Sequence, residues 1–166
     1  MNSGCFGKEF KDKLISLQCI DTNGNIKVIP SNKIKFQYRK IELNENLIFL
    51  SATFKGDLSN KNKIKNLMEE MALKKNNSQP SKIKTGGSTF KNPKEQSSEK
   101  VWSLIKKSVP LDTSFGEASI SQKHCNFLVN TGNASFDDMI KLIQFIKKNV
   151  KSKTGVTLET EIEIIK

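Results

Sequence analysis

The sequence predicts an α+β fold, and three observations carry that reading. Strand-like apolar runs separated by turn residues fill the first third of the 166 residues. Three stretches of helical periodicity occupy the remainder. A short apolar run precedes the last of these, and a segment alternating between apolar residues and glutamates follows it.

The first third reads as a β-meander. Residues 1–10 open abruptly in small residues, Asn2-Ser3-Gly4 and Gly7, with no element predicted. Residues 14–20 form a strand. Asp21-Thr22-Asn23-Gly24-Asn25 is a hairpin turn with Asn-Gly at its centre, and residues 26–29 return from it. The chain then runs through Phe36-Gln37-Tyr38-Arg39 to an apolar strand at 47–54. Composition shifts near Gly56.

Residues 60–75 carry Ile64, Leu67, Met68 and Met71 at the spacing of one buried helical face. Ser78-Gln79-Pro80 breaks that helix and leads into a glycine loop, Thr85-Gly86-Gly87-Ser88-Thr89-Phe90-Lys91-Asn92-Pro93. A second helix spans 98–108, with Val101, Leu104 and Ile105 inward and Trp102 closing that core. Residues 111–123 are irregular, and 125–129 form a short strand. The third helix begins at Ser135, an N-cap serine before an acidic first turn. Met139, Ile140, Ile143, Ile146 and Val150 form its buried stripe, and Gly155 is a C′ residue. The last strand, 156–165, sets Glu159, Glu161 and Glu163 on one face. The sheet of this second part is expected to be mixed.

Composition excludes several classes. No apolar run reaches membrane-spanning length, the first residues form no signal peptide, and the cysteine usage fits a reducing compartment, so a cytoplasmic chain is expected. Cys5, Cys19 and Cys125 are odd in number and form no CxxC, and His124 is the single histidine. Neither a disulfide framework nor a metal site is expected. The net charge of +11 comes from 27 lysines and one arginine spread along the whole chain. Nucleic-acid readers favour arginine for bidentate contacts, so a basic RNA-associated protein is a weak reading.

Four polar features are candidates for chemistry: Arg39, Ser88, His124 and the glutamate face. A Ser/His/acid triad lacks its context, because Ser88 is followed by Thr-Phe and not by an elbow glycine. Carboxylate recognition by Arg39, with Ser88 as proton donor, fits the residue types better. A serine hydroxyl is a weak acid and protonates only a strongly basic, carbanion-like centre. Arg39 and a glutamate would stabilise that developing charge. Such a centre needs electrons from a cofactor, because side chains supply no hydride. Spacing does not choose among the three glutamates.

Five ordered stretches together resemble the UDP-N-acetylenolpyruvoylglucosamine reductase family, in its short-loop type. They are M-N-S-G-C-F-G-K-E, F-Q-Y-R, Q-P followed by T-G-G-S-T-F-K-N-P, S-Q-K-H-C-N-F-L-V-N-T-G-N-A-S, and V-T-L-E-T-E-I-E-I-I. The resemblance implies a flavoenzyme of peptidoglycan precursor synthesis. NADPH reduces FAD, and UDP-N-acetylglucosamine enolpyruvate is reduced to UDP-N-acetylmuramate. It implies Arg39, Ser88 and Glu161 as catalytic residues. It implies Asn92, His124 and Gly87 at the substrate, and Asn2, Gly4 and Gly7 at the cofactor.

Two departures qualify it. The family is considerably longer, and Met1 aligns with an internal methionine. Residues 1–57 therefore resemble the truncated end of a β-rich FAD-binding domain, and 58–166 the α+β substrate-binding domain. A separately encoded N-terminal FAD-binding half is one expected partner; an inactive remnant or a UDP-sugar binding module without flavin is the alternative. In addition, Asp112-Thr113-Ser114-Phe115-Gly116-Glu117 stands where the family carries G-(Y/F)-R-I-G-G, which loses a basic residue and a glycine.

Overall fold

The Asn-Gly turn forms where the sequence puts it. Asp21 organises it, its carboxylate accepting the backbone N–H groups of Asn23 and Asn25 at 2.9 Å each. The structure, a computed structural model, describes residues 1–43 and 45–165. The chain divides into two units between Asn60 and Lys61.

The first unit opens with a hairpin that the sequence did not announce. Its strands are β1 (Gly4–Cys5) and β2 (Lys8–Glu9). Phe6 and Gly7 turn the chain at φ 49° and 76°, the left-handed pair that a tight hairpin requires. Next come β3 (Leu14–Asp21), β4 (Ile26–Pro30), β5 (Lys35–Gln37), β6 (Lys40–Glu42) and β7 (Leu47–Phe54). The expected meander is not what forms. The sheet order is β4-β3-β7, with both pairings antiparallel and β3 central. Between β4 and β7 the chain makes a separate hairpin, β5–β6, which packs Phe36 and Ile41 onto the core and adds no strand to the sheet. That core is Leu14, Leu17, Cys19 and Ile34.

The second unit contains α1 (Lys61–Ser78), β8 (Lys84–Ser88), α2 (Val101–Ser108), β9 (Ser114–Phe115), β10 (Ala118–Ile120), β11 (Phe127–Asn130) and α3 (Phe136–Thr154). Its sheet, β8-β11-β10-β9, is antiparallel throughout and not mixed. The nominally irregular stretch 111–123 supplies two of its strands. Phe90, Leu104, Ile105, Leu142, Ile146 and Leu158 lie at the centre of a core shared by the sheet, α2 and α3.

Three helix expectations change. No residue of α1 is buried, so Ile64, Leu67, Met68 and Met71 do not form a covered face. The core of the second unit is closed by α2 and α3 and offers that face no partner. Trp102 is 46% exposed and does not close the core, because the inward face of α2 is Val101, Leu104, Ile105 and Ser108. The stripe of α3 is centred on Leu142, Ile143, Ile146 and Val150, with Met139 and Ile140 at its margin. Its caps form as read: Ser135 Oγ accepts Asp138 N–H at 3.1 Å, and Gly155 adopts φ 74°.

Residues 156–165 are extended, yet they make one isolated bridge, Phe90 to Thr160, in place of a full strand. The partner segment is short and ends at Asn92-Pro93. Proline offers no N–H to continue a ladder.

Candidate functional site

Ser88 does not lie in a free loop. It ends β8 and stands opposite Phe127 of β11, while Thr85 stands opposite Val129. Three steps along β8 match two along β11, so one extra residue bulges from β8. Gly87 takes it up at φ 87°, a conformation that costs L residues energy. Bulges of this kind re-aim the side chain that follows. The glycine pair therefore works through strand geometry: Gly87 makes the bend, and Ser88 emerges from it half-buried.

Beyond Ser88 the chain is held by Asn126. Thr89 N–H donates to the Asn126 carbonyl at 2.8 Å. Phe90 N–H donates to Asn126 Oδ1 at 3.0 Å, and Asn126 Nδ2 donates to the Phe90 carbonyl at 2.9 Å. Asn126 is 4% exposed and Phe90 1%. Sequence reasoning missed this residue. The signal was a polar amide inside the apolar run Cys125-Asn126-Phe127-Leu128-Val129, since a buried amide needs partners.

The opposite edge of the same segment receives the chain end. Glu161 N–H donates to the Thr89 carbonyl at 2.8 Å, and Lys91 N–H donates to the Glu159 carbonyl at 2.9 Å. Ser88 and Glu161 thus sit on adjoining segments, one residue apart in register from the Thr89 contact. The three glutamates are no longer equivalent. Glu161 is half-buried, whereas Glu159 and Glu163 are exposed. Glu159 pairs with Lys91 at 3.4 Å.

His124 lies beside this arrangement. Its Nδ1 accepts Asn126 N–H at 3.3 Å, and its ring meets Phe127 edge-on at 5.1 Å. Burial lowers its pKa below the usual histidine value and so favours the neutral ring, whose Nδ1 acceptor leaves the proton on Nε2. Asn92 Oδ1 accepts Val101 N–H at 3.0 Å and so caps the start of α2. That is a structural use of an amide expected at the substrate.

The remaining expected residues belong to the first unit. Arg39 occupies the two-residue turn between β5 and β6 with φ 57°, its guanidinium 5.9 Å from the Tyr38 ring centroid. An arginine where the backbone favours glycine or asparagine is a strained choice, and such strain is concentrated at functional positions. Asn2 is 5% exposed. Its Nδ2 donates to Glu9 at 2.8 Å and its Oδ1 accepts Lys11 N–H at 3.1 Å. A Cβ on Gly4 would stand 3.2 Å from the Lys8 carbonyl, and Gly7 makes the hairpin turn. All three residues thus have work inside the N-terminal hairpin.

The altered 112–117 stretch is built into the fold. Gly116, at φ 54°, turns between β9 and β10, and a Cβ there would stand 2.8 Å from Asp138 Oδ2. The Glu117 carboxylate lies over Gly132 and accepts the Asn133 N–H. Among the described residues, no helix is long and apolar enough to cross a membrane, and no cluster of His, Cys, Asp or Glu suits a metal ion.

Known proteins resemble this arrangement along the whole chain. Residues 79–165 match a family model described as UDP-N-acetylenolpyruvoylglucosamine reductase, C-terminal domain. A UDP-N-acetylenolpyruvoylglucosamine reductase of Pelagibacter ubique (strain HTCC1062) is 60% identical over 166 residues, which is 100% of this chain and 55% of that protein. One of Rickettsia canadensis (strain McKiel) is 39% identical over 165 residues, 99% of this chain and 55% of that protein. The crystal structure of the Thermus caldophilus UDP-N-acetylenolpyruvylglucosamine reductase superposes with a TM-score of 0.81 at 30% identity, covering 98% of this chain and 57% of that one. The chain spans a little over half the length of these relatives.

Proposed function

Because the chain belongs to the family of the UDP-N-acetylenolpyruvoylglucosamine reductase C-terminal domain, we propose that it acts in the reduction of UDP-N-acetylglucosamine enolpyruvate to UDP-N-acetylmuramate, a cytoplasmic step of peptidoglycan precursor synthesis. On this reading residues 1–57 are the end of an FAD-binding domain and residues 58–166 bind the substrate. NADPH and FAD are the redox carriers of the reaction.

The residues described here do not by themselves fit the flavin. Asn2 has both ends of its amide engaged within the hairpin, and the face of Gly4 is closed by Lys8. Among the described residues, Asn2 and Gly4 form no cradle for a diphosphate. Binding of the flavin falls to the part of the relatives' length that this chain does not span.

This chain's own groups act on the substrate. Ser88 Oγ donates a proton to the substrate carbon that becomes basic as the enolpyruvyl double bond is reduced. Glu161 and Arg39 stabilise the charge that develops, Arg39 by a forked contact to the carboxylate. Asn92, His124 and Gly87 border the bound sugar nucleotide, and the neutral His124 offers Nε2–H as a donor. The observation supporting this reading is that Glu161, 73 residues from Ser88 in sequence, is bonded through its N–H to the Thr89 carbonyl, which puts the two residues on adjoining segments.

Calorimetric titration of the chain with UDP-N-acetylglucosamine enolpyruvate tests the reading. Saturable binding that Ser88→Ala leaves intact and Asn92→Ala weakens is the expected result; no binding at millimolar substrate refutes it. A UDP-sugar binding module without flavin chemistry is the second reading, favoured by the engagement of the Asn2 amide within its own hairpin. It predicts the same binding but no turnover when the remainder of a relative is supplied.

A further inference from the structure

The main-chain bonds at the chain end do not by themselves choose one glutamate over its neighbours. They run antiparallel, with Phe90 opposite Thr160, from Lys91 N–H to the Glu159 carbonyl and from Glu161 N–H to the Thr89 carbonyl. Such rungs are blind to side-chain identity, and residues two apart share a face. A slip of two residues would rebuild the same rungs and keep the alternation of 156–165 in phase. It would also put Glu159 or Glu163 where Glu161 stands. The register has to be fixed by side chains.

Carried two residues beyond Lys91 and Glu159, the register sets Pro93 opposite Thr157. Proline has no N–H to give. Its carbonyl is turned to the N–H groups of Gln96 and Ser97, at 3.0 and 2.8 Å. The side chain of Gln96 supplies the rung instead. Its Oε1 accepts the Thr157 N–H at 2.9 Å, and its Nε2 donates to the Thr157 carbonyl at 3.1 Å. One amide thus serves both main-chain groups of Thr157, as a peptide at position 93 would. The same threonine is tied to α3, where Lys151 Nζ donates to Thr157 Oγ1 at 3.0 Å. That contact reads a hydroxyl, which Gly155 and Glu159, two places away on either side, do not carry.

We propose that Gln96 is a positioning residue for Glu161. By clamping Thr157 against the turn that follows Pro93, it sets the register in which Glu161, and not Glu159 or Glu163, adjoins the strand end that carries Ser88. The inference rests on the catalytic reading of Glu161, yet register is measurable without turnover. Both clamp bonds lie at the surface, so they add little to global stability. Their effect is on where the segment sits.

Two measurements test this: amide exchange of the full chain, residue by residue, by nuclear magnetic resonance, and kinetics of the chain reconstituted with the remainder of its Pelagibacter relative. Gln96→Met keeps the side-chain length and removes both donor and acceptor. Exchange at Thr157 and Glu161 should speed by roughly fivefold, the scale of one surface hydrogen bond. Phe90 N–H, held by Asn126, should keep its rate, and unchanged exchange across α3 checks that the variant folds. Substrate reduction should lose roughly tenfold to a hundredfold in kcat, the scale of a misplacement of about 1 Å, with KM nearly unchanged. Gln96→Glu keeps an acceptor for the Thr157 N–H and should fall between the two. Glu163→Gln should lower kcat further in the Gln96→Met chain while leaving the natural chain unmoved, an effect that a merely structural role of Gln96 would not produce. An unchanged Glu161 exchange rate in the folded Gln96→Met chain overturns the proposal, as does a fall in kcat that Glu163→Gln fails to deepen. Faster exchange with unchanged kcat supports the clamp and counts against the catalytic reading of Glu161 alone.

Discussion

One side chain, Asn126, substitutes for a strand partner at Phe90: its Oδ1 accepts the Phe90 N–H at 3.0 Å while its Nδ2 donates to the Phe90 carbonyl at 2.9 Å. Both groups are buried, so neither has water as a fallback. Asn126→Ala would leave a buried donor and a buried acceptor unpaired. The expected loss is about 3 kcal/mol, read as a lower urea midpoint at unchanged slope. An unshifted midpoint would show that Phe90 finds other partners.

The two glycines before Ser88 should respond differently. Gly87 holds φ 87°, so Gly87→Ala should cost about 1–2 kcal/mol and displace Ser88 as the bulge relaxes. A Cβ on Gly86 would meet Ile162 Cγ2 at 3.5 Å, an ordinary contact. Gly86→Ala should therefore leave thermal stability nearly unchanged. Equal melting temperatures for the two variants would contradict the bulge assignment.

Acid should loosen the β3–β4 hairpin through Asp21. The Asn25 backbone N–H, helped by the Asn25 amide, Lys27 and the Asn23 N–H, outweighs burial and lowers this carboxyl from 3.8 to about 2. Folding thus favours the ionised form. Its contribution is complete above the unfolded value and is lost as pH falls from about 4 toward 2. Urea midpoints measured across that window should fall for the natural chain. Asp21→Asn should start lower and vary less over the same range.

For catalysis, the chain reconstituted with the remainder of its Pelagibacter relative is the material to use. Ser88→Ala should slow substrate reduction by roughly a hundred- to ten-thousand-fold while sparing reduction of the flavin by NADPH. Glu161→Gln should impair the same half-reaction, whereas exposed Glu163→Gln should not. Loss of both half-reactions in Ser88→Ala would refute the proton-donor role.

Much of this architecture was legible because local patterns agreed with the final packing. The Asn23-Gly24 turn, the apolar run of β7 and the Ser135 and Gly155 caps of α3 all form as read. The misreadings came where local pattern met long-range demand. Gly86-Gly87 resembles a loop, but β11 recruits it into a strand with a bulge. The alternation at 156–165 is visible in burial, since Val156 and Leu158 are buried and Thr157 and Glu159 exposed. Pro93 nevertheless limits its pairing to one bridge. The apolar spacing of α1 is equally clear, but periodicity reports a face and not the partner that covers it. Within the candidate site, residue types pointed to Ser88 and a glutamate. Burial separates Glu161 from its neighbours, since Glu161 is half-buried and Glu159 and Glu163 are exposed. Asn126 was not legible, because its role depends on facing a segment 36 residues away.

The bridge from Phe90 to Thr160 also sets a clock. Nearly the entire second unit must be synthesised before the ten residues that carry Glu161 exist, whereas β8 and β11 can pair earlier. Loop closure over so long a span is slow compared with forming α2 or α3. The glutamate therefore joins the serine last. A ribosome that stops shortly after Gly155 would release a chain without Val156 and Leu158, which are buried in the core, and without the segment that bridges to Phe90.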